Sequence, residues 1–438
     1  MPTADLVAAA AVPLGFAVAG LAMRPAVRAS GLGICHPALA WLALEATFFG
    51  VGAFALAAGS EAAGPALYLA ACVVAAALGT LVAHRLFGGR AGRPALPATP
   101  LLPSAETGLR GLVPAIVAVA SLAILLPTLV TSGLALLTAD PTASRSELVG
   151  IPVQLVRVAL PGLAAVVLLE LFGGRPALGR PLVSWATITG LVVLSILLGS
   201  RYLVVELLAT MVIAWLLSGR RIDLRLAITA SFVAVAGFVV IGVARAPTDF
   251  ANSPVVTAAE RTASRLFLVQ PRTLAALQET IPAEQPYFLG LTWARRLGPL
   301  FGRSDIPNLG YWIYPRVVTD QQTTAGYAAP GLLGEAWANF GPAGIGLFVL
   351  LGGAMERLGV LVAARRRRII DIVAAALAIL FVARMHALGL LGAGLLLGLV
   401  LLWRLLAGSW GPGREPRQEP RPDPRPGPPE DSPSSIGA

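Results

Sequence analysis

Residues 199–217 read GSRYLVVELLATMVIAWLL. After Arg201 the stretch is apolar except for Glu206, and it is about long enough to cross the hydrocarbon of a bilayer as a helix. An arginine at the head of such a run has two readings. A charge at membrane depth is costly and marks a functional site. A guanidinium at a helix end instead snorkels to the headgroups, with its methylene stem along apolar surface. The choice turns on where the run begins relative to the bilayer.

The same pattern repeats on both sides of this stretch. Of 438 residues, 56% are hydrophobic and 13% charged, and the mean hydropathy is +0.77. A soluble chain carries about a quarter charged residues. The composition therefore predicts an all-α, polytopic membrane bundle. About eleven apolar runs fall near 5–23, 36–58, 62–83, 111–131, 153–172, 182–199, 202–218, 225–244, 342–362, 369–384 and 387–407, each close to the length a span requires. The loops after the first, third, fifth, seventh and ninth runs contain Arg24 and Arg28; Arg85, Arg90 and Arg93; Arg175 and Arg180; Arg220, Arg221 and Arg225; and Arg365 to Arg368. Every second loop is basic. By the positive-inside rule this predicts an outer N-terminus and a cytoplasmic C-terminus. The turn at 199–201 then joins two helices on the outer side, which puts Arg201 at the outer membrane face rather than at the midplane. The first run lacks the positive n-region of a signal peptide and reads as a retained helix.

The formal charge of +10 rests on 33 basic residues, every one an arginine. With no lysine in the chain, arginine at any one position carries no chemical preference. The arginines cluster in short loops, as membrane topology demands, and not as a nucleic-acid footprint. Cys35 and Cys72 lie at or within apolar runs with no CxxC or Cys/His ligand spacing, and read as small buried hydrophobes.

The chain divides into helices one to eight (1–245), an extracytoplasmic segment with short helices (246–341), helices nine to eleven (342–407) and a Pro-rich tail (408–438). The tail mixes charges and cannot build a core, so it reads as disordered and cytoplasmic. The extracytoplasmic segment is roughly 95 residues, long enough to suggest function. Its arginines and carboxylates balance at seven each, so any anion site within it is local. In TAAERTASRLFLVQPRTLAALQE (257–279), helical spacing puts Arg261 and Arg265 on one face, and Pro271 is expected to interrupt the helix. The aromatics and arginines of 290–316 suit a segment lying in the interface.

Residues 328–347, AAPGLLGEAWANFGPAGIGL, lead from that segment into the ninth run. Gly341 and Pro342 predict a short helix over 331–340 that ends at a break. Glu335 and Asn339 are four apart and share a face, and Trp337 suits the interface. A carboxylate at a membrane surface between apolar neighbours can act as a base; a glutamate near a helix start also complements the helix dipole.

Arg157, Arg201, Arg245 and Arg384 all fall on the outer side, opposite to the side the positive-inside rule favours. Guanidinium forks match phosphate oxygens two at a time. Several converging at one membrane face would suit a lipid-linked phosphate or pyrophosphate, although any one alone is explained by snorkelling or by pairing with a carboxylate. His386, one of 3 histidines, is a base, a phosphate contact or a plain interface residue. There is no Walker A, dinucleotide fingerprint, HExxH or outer DxD pair, so no cofactor and no metal are expected.

These features together resemble the O-antigen polymerases, the enzymes that polymerise oligosaccharide repeat units of bacterial surface polysaccharides. The residues that carry the likeness are Ser200 and Arg201 at the start of a membrane helix and GEAWANFGPAG (334–344) at the re-entry. The related O-antigen ligases share the Ser-Arg pair and often have histidine where this chain has Glu335. The likeness is best over 180–407. It implies a GT-C-like, metal-independent glycosyltransferase of the bacterial cytoplasmic (inner) membrane, acting on the extracytoplasmic face. Its partners would be an undecaprenyl-pyrophosphate-linked oligosaccharide, membrane lipids and a chain-length regulator, with no nucleic acid. By this resemblance Arg201 meets the donor pyrophosphate and outer-loop arginines complete the site. Glu335 is the general base with His386 in reserve, and the helix bearing Arg261 and Arg265 closes over the acceptor. The competing readings are a ligase moving glycan to another acceptor, a lipid-linked oligosaccharide transporter or flippase, and a structural membrane subunit. Glu45 and Glu206 are the main charges within the runs, which counts against a water-filled transport path.

Overall fold

Hydrocarbon offers no partner to a backbone amide or carbonyl, so each apolar run must satisfy its own through the i to i−4 ladder. A computed structural model describes residues 3–59, 61–87, 151–173, 180–198, 201–220, 264–294, 308–317, 328–365 and 369–384, with isolated positions between 116 and 130, at 232 and between 394 and 401. Every regular element among the described residues is helical. The expected runs 111–131, 225–244 and 387–407 lie outside the described residues apart from those isolated positions, as does the tail.

The membrane helices are α1 (Thr3–Ser30), α2 (Pro37–Ala58), α3 (Gly64–Phe87), α4 (Ile151–Phe172), α5 (Pro181–Leu197) and α6 (Arg201–Leu217). Four shorter or later elements follow before the last helix: α7 (Val269–Thr280), α8 (Leu309–Val317), α9 (Gly331–Phe340) and α10 (Ile345–Arg365). The last is α11 (Ile369–Ala383). Among the described residues, five stretches are long and apolar enough to cross a membrane: α1, α2, α3, Leu155–Phe172 of α4, and Gly331–Ala364. Three shorter apolar helices there, α5, Leu203–Leu217 of α6 and α11, accompany them. The protein is a membrane protein, all-helical among the described residues.

Two groups of helices pack side by side. Met23, Trp41, Leu69 and Phe348 join α1, α2, α3 and α10. Leu169, Leu217 and Phe381 join α4, α6 and α11, while Leu160, Leu191 and Leu207 bring in α5. Helix α11 packs against α2, α4 and α6, and of its residues only Asp371 escapes full burial. A helix that is apolar all round belongs in such a wall.

The helix directions follow from which residues meet. Tyr68 hydrogen-bonds to the Gly341 carbonyl (3.4 Å) near the start of both α3 and α10, and His84 meets Glu356 (3.0 Å) further along both. The two helices are parallel, which requires an odd number of crossings between them. That agrees with the alternation of basic loops. In the same way α4 and α6 are parallel, with Arg157 against Glu206 at one end and the rings of Phe172 and Trp215 (4.8 Å) at the other.

Small residues let α3 and α10 touch backbone to backbone. A Cβ on Gly79 would collide with the Val349 carbonyl, and one on Gly352 with the Ala76 carbonyl. The Thr80 hydroxyl lies within donating distance of both Ala76 O (3.0 Å) and Gly352 O (3.2 Å). In lipid, close packing and interhelical hydrogen bonds replace the hydrophobic effect as the force between helices.

At the end of the bundle that carries Arg201, α7, α8 and α9 build a cap around Leu277, Ile281, Phe288, Ile313 and Ala338. Helix α9 stops at Gly341, whose φ of 57° only glycine adopts easily, and one turn over Gly341–Gly344 leads into α10. The stretch Gly331–Ala364 has 34 residues. As one helix it would be about 50 Å long against roughly 30 Å of hydrocarbon, so α9 belongs to the surface side of the break.

One expectation is corrected. Pro271 does not interrupt its helix: it lies in the first turn of α7, where N–H groups have no intrahelical acceptor and proline is tolerated, and a wide turn over Ser264–Leu268 precedes it. Trp337, half-buried, packs edge-on against Tyr68 (5.2 Å) and donates to Ile281 O (3.2 Å).

Gly352→Leu is expected to force α3 and α10 apart and to destabilise the protein by about 1–3 kcal/mol or more. This would be read as a lower Tm in detergent. Gly346→Leu, where an added Cβ meets nothing within 4 Å, should leave Tm close to the wild-type value.

Candidate functional site

Glu206 lies five residues into α6, about 7.5 Å along the axis from Arg201. Leu203 and Leu207 beside it are buried, and the carboxylate itself is fully so. A lone charge there is not tolerable. Two arginines from other helices answer it. Arg157 reaches in from α4, its Nε donating to both carboxylate oxygens at 3.1 and 3.0 Å. Arg384, one residue beyond α11 and tied back by its N–H to Leu380 O (3.0 Å), donates through Nη1 to Oε1. Arg157 Nη2 donates to that same oxygen. The side chains of Arg157 and Arg384 are 15% and 6% exposed, so the cluster is shielded from water.

The cap carries the second group. On α9, Asn339 is fully buried: its Oδ1 accepts from Gly290 N (2.8 Å), and its Nδ2 donates to Thr292 Oγ1 (2.6 Å) and to Glu335 O (2.7 Å). The backbone of Phe288 and Leu289 pairs with the carbonyls of Ala338 and Asn339, both at 3.0 Å. Asn339 thus holds the turn before Leu291–Ala294 against the end of α9. That turn brings Trp293 over Phe340 and lets its Nε1 donate to Glu335 Oε2 (3.1 Å). Glu335 is half-buried, on the same helix face as Asn339 and at the same end of the bundle as the arginine cluster.

Of the sequence-derived site residues, Arg157 and Arg384 are brought together, and Glu335 and Asn339 share α9. Arg201 opens α6, and Arg265 falls in the turn Ser264–Leu268. Arg245, Arg261 and His386 lie outside the described residues. Sequence reasoning did not see Glu206 as part of the site. The available signal was a single carboxylate in an apolar run, at the same depth as the arginines of two others.

Two further polar groups sit within the bundle. At the end opposite the arginine cluster, Glu356 of α10 bridges His36 (3.1 Å), just before α2, and His84 (3.0 Å) of α3. Glu356 and His36 are 2% and 0% exposed. Glu45 opens a π-helical turn, Glu45–Gly50, inside α2; it is fully buried, and neither carboxylate oxygen has a hydrogen-bond partner among the described residues. Cys35 and Cys72 are buried, and neither forms a disulfide. Among the described residues no group of three or more His, Cys, Asp or Glu is arranged to hold a metal ion.

Comparison of the chain with known protein families, with curated proteins and with solved structures gives no match. The class rests on the fold and the site: a membrane protein, all-helical among the described residues, with a buried cluster of two arginines and a glutamate at one end and, at that same end, a cap that holds a carboxylate.

The two buried glutamates should respond oppositely to removal. Glu356→Met strands two histidines and should lower Tm, the loss corresponding to about 1–3 kcal/mol. Glu45→Met replaces a buried group that lacks a partner and should raise Tm by an amount of similar size. Thermal unfolding of the two variants in one detergent would check both signs.

Proposed function

We propose that the protein is an extracytoplasmic glycosyltransferase that polymerises lipid-pyrophosphate-linked oligosaccharide repeat units into a bacterial surface polysaccharide. The observation that carries this reading is the convergence of the guanidinium groups of Arg157 and Arg384 on one carboxylate, in a water-poor site at the Arg201 end of the bundle. Charge fixed in such a place acts strongly on an anion that develops beside it.

In the reaction, a hydroxyl oxygen of the incoming lipid-linked unit attacks the anomeric carbon of the growing glycan. The bond from that carbon to the pyrophosphate breaks, and the leaving group takes the bonding pair away on its lipid carrier. Arg157, Arg384 and Arg201 would offset the charge that appears on it, and the forks of arginine suit its oxygens. Glu335 would take the hydroxyl proton. Its support is the Trp293 hydrogen bond that fixes one carboxylate oxygen, and the Asn339 bonds that hold the surrounding turn. His386 is the alternative base. The extracytoplasmic side is supported by the basic-loop alternation, with which the parallel α3 and α10 agree.

The test is a deletion strain, with surface glycan and lipid-linked intermediates resolved on one gel. Single repeat units on the carrier with no ladder are expected. A normal ladder that stays on the carrier would mean a ligase, and absence of lipid-linked material at the outer face a transporter; either overturns the proposal. Restoring Glu335→Gln should reduce turnover by about 10²- to 10⁴-fold, the range for loss of a general base. If the ladder returns in full, Glu335 is not the base, and His386→Ala is the variant that should abolish it.

A further inference from the structure

The arginine cluster has a geometry that charge balance alone does not require. One carboxylate could neutralise one guanidinium and leave the other elsewhere. Instead Arg157 Nη2 and Arg384 Nη1 share a single oxygen, Oε1 of Glu206. The two cations come from α4 and from the residue after α11, and the anion from α6. Two guanidinium groups brought that close repel each other, more strongly in a low-dielectric interior than in water. Without an anion between them they would separate.

Glu206 is itself well anchored. Its neighbours Leu203 and Leu207 are 2% and 0% exposed, and its carbonyl accepts the Thr210 hydroxyl (2.6 Å) one turn on. The packed α6 backbone fixes the root of the Glu206 side chain, and both forks meet at its Oε1.

From this geometry we infer that Glu206 is a positioning residue that sets the spacing of Arg157 and Arg384, and that this spacing selects a lipid diphosphate over a lipid monophosphate. The inference rests on the pyrophosphate-handling role proposed above. A diphosphate presents two adjacent phosphoryl groups and gains from two forks held side by side. A monophosphate presents one and needs only one fork. A glutamate that merely neutralised charge would carry no such preference.

The test uses the full chain in lipid nanodiscs and two probes, undecaprenyl pyrophosphate and undecaprenyl phosphate, neither bearing sugar. The wild type is expected to bind the diphosphate at least about tenfold more tightly, the size of effect one well-made charged hydrogen bond supplies. Glu206→Asp keeps the charge but withdraws the carboxylate by about one carbon–carbon bond toward α6. It should lose most of that preference by weakening diphosphate binding, with monophosphate binding within about threefold of wild type. Arg384→Lys keeps the charge, gives up the fork, and should have the same effect, which protects the test if the aspartate variant folds poorly. If wild type and both variants prefer the diphosphate equally, Glu206 does not set a spacing, and the inference fails while the pyrophosphate reading stands. If the wild type itself shows no preference, that reading fails and the inference falls with it.

Discussion

Three helices meet at Glu206 because hydrocarbon tolerates its charge only in company. The carboxylate fixes where α4, α6 and the end of α11 can lie relative to one another, since moving any of them would leave a buried ion without its counterion. Much of the second helix group follows from this. Phe381 sits in its core, α11 is buried between the two groups, and α5 packs on the outside of α4 and α6. The opposite end of the bundle uses the same device: one carboxylate, Glu356, between two imidazoles. There the bridging group joins α10 to α3 and to the start of α2. Each end of the protein is thus tied by a carboxylate shared between two nitrogen bases on different segments.

The two ends differ in the bases that share the carboxylate. At Glu206 both partners are permanently charged guanidinium groups. At Glu356 the partners are histidines, whose charge depends on protonation. The first arrangement suits holding an anion; the second suits holding helices.

The apolar helices among the described residues and the break after Phe340 were legible in the sequence, because each depends on local chemistry: hydropathy over about twenty residues, or a glycine and a proline in succession. Arg157 and Arg384 were legible as candidates because each stands at one end of an apolar run. What escaped were relations between distant segments. Nothing near Gly79 announces that Val349 will lie against it, and Glu206 does not name Arg157 or Arg384. Pro271 was read as a helix breaker because its position within the helix was unknown, and three residues' difference in where α7 begins reverses its effect. Trp337 likewise does not name the Ile281 carbonyl and the Tyr68 ring that it meets.

The parallel pairing of α3 with α10 bears on how the chain assembles in the cell. The Thr80 hydroxyl and the Gly352 carbonyl it reaches are 272 residues apart. During synthesis α1, α2 and α3 would therefore enter the bilayer long before α10 exists. Until then the face of α3 formed by Ala76, Gly79 and Thr80 has only lipid against it. A small-residue face of this kind accepts other helices as readily as its own, so the interval is one in which the nascent chain is open to mispairing. The closure of that gap, and not the insertion of any single span, is the step that commits the chain to its final arrangement.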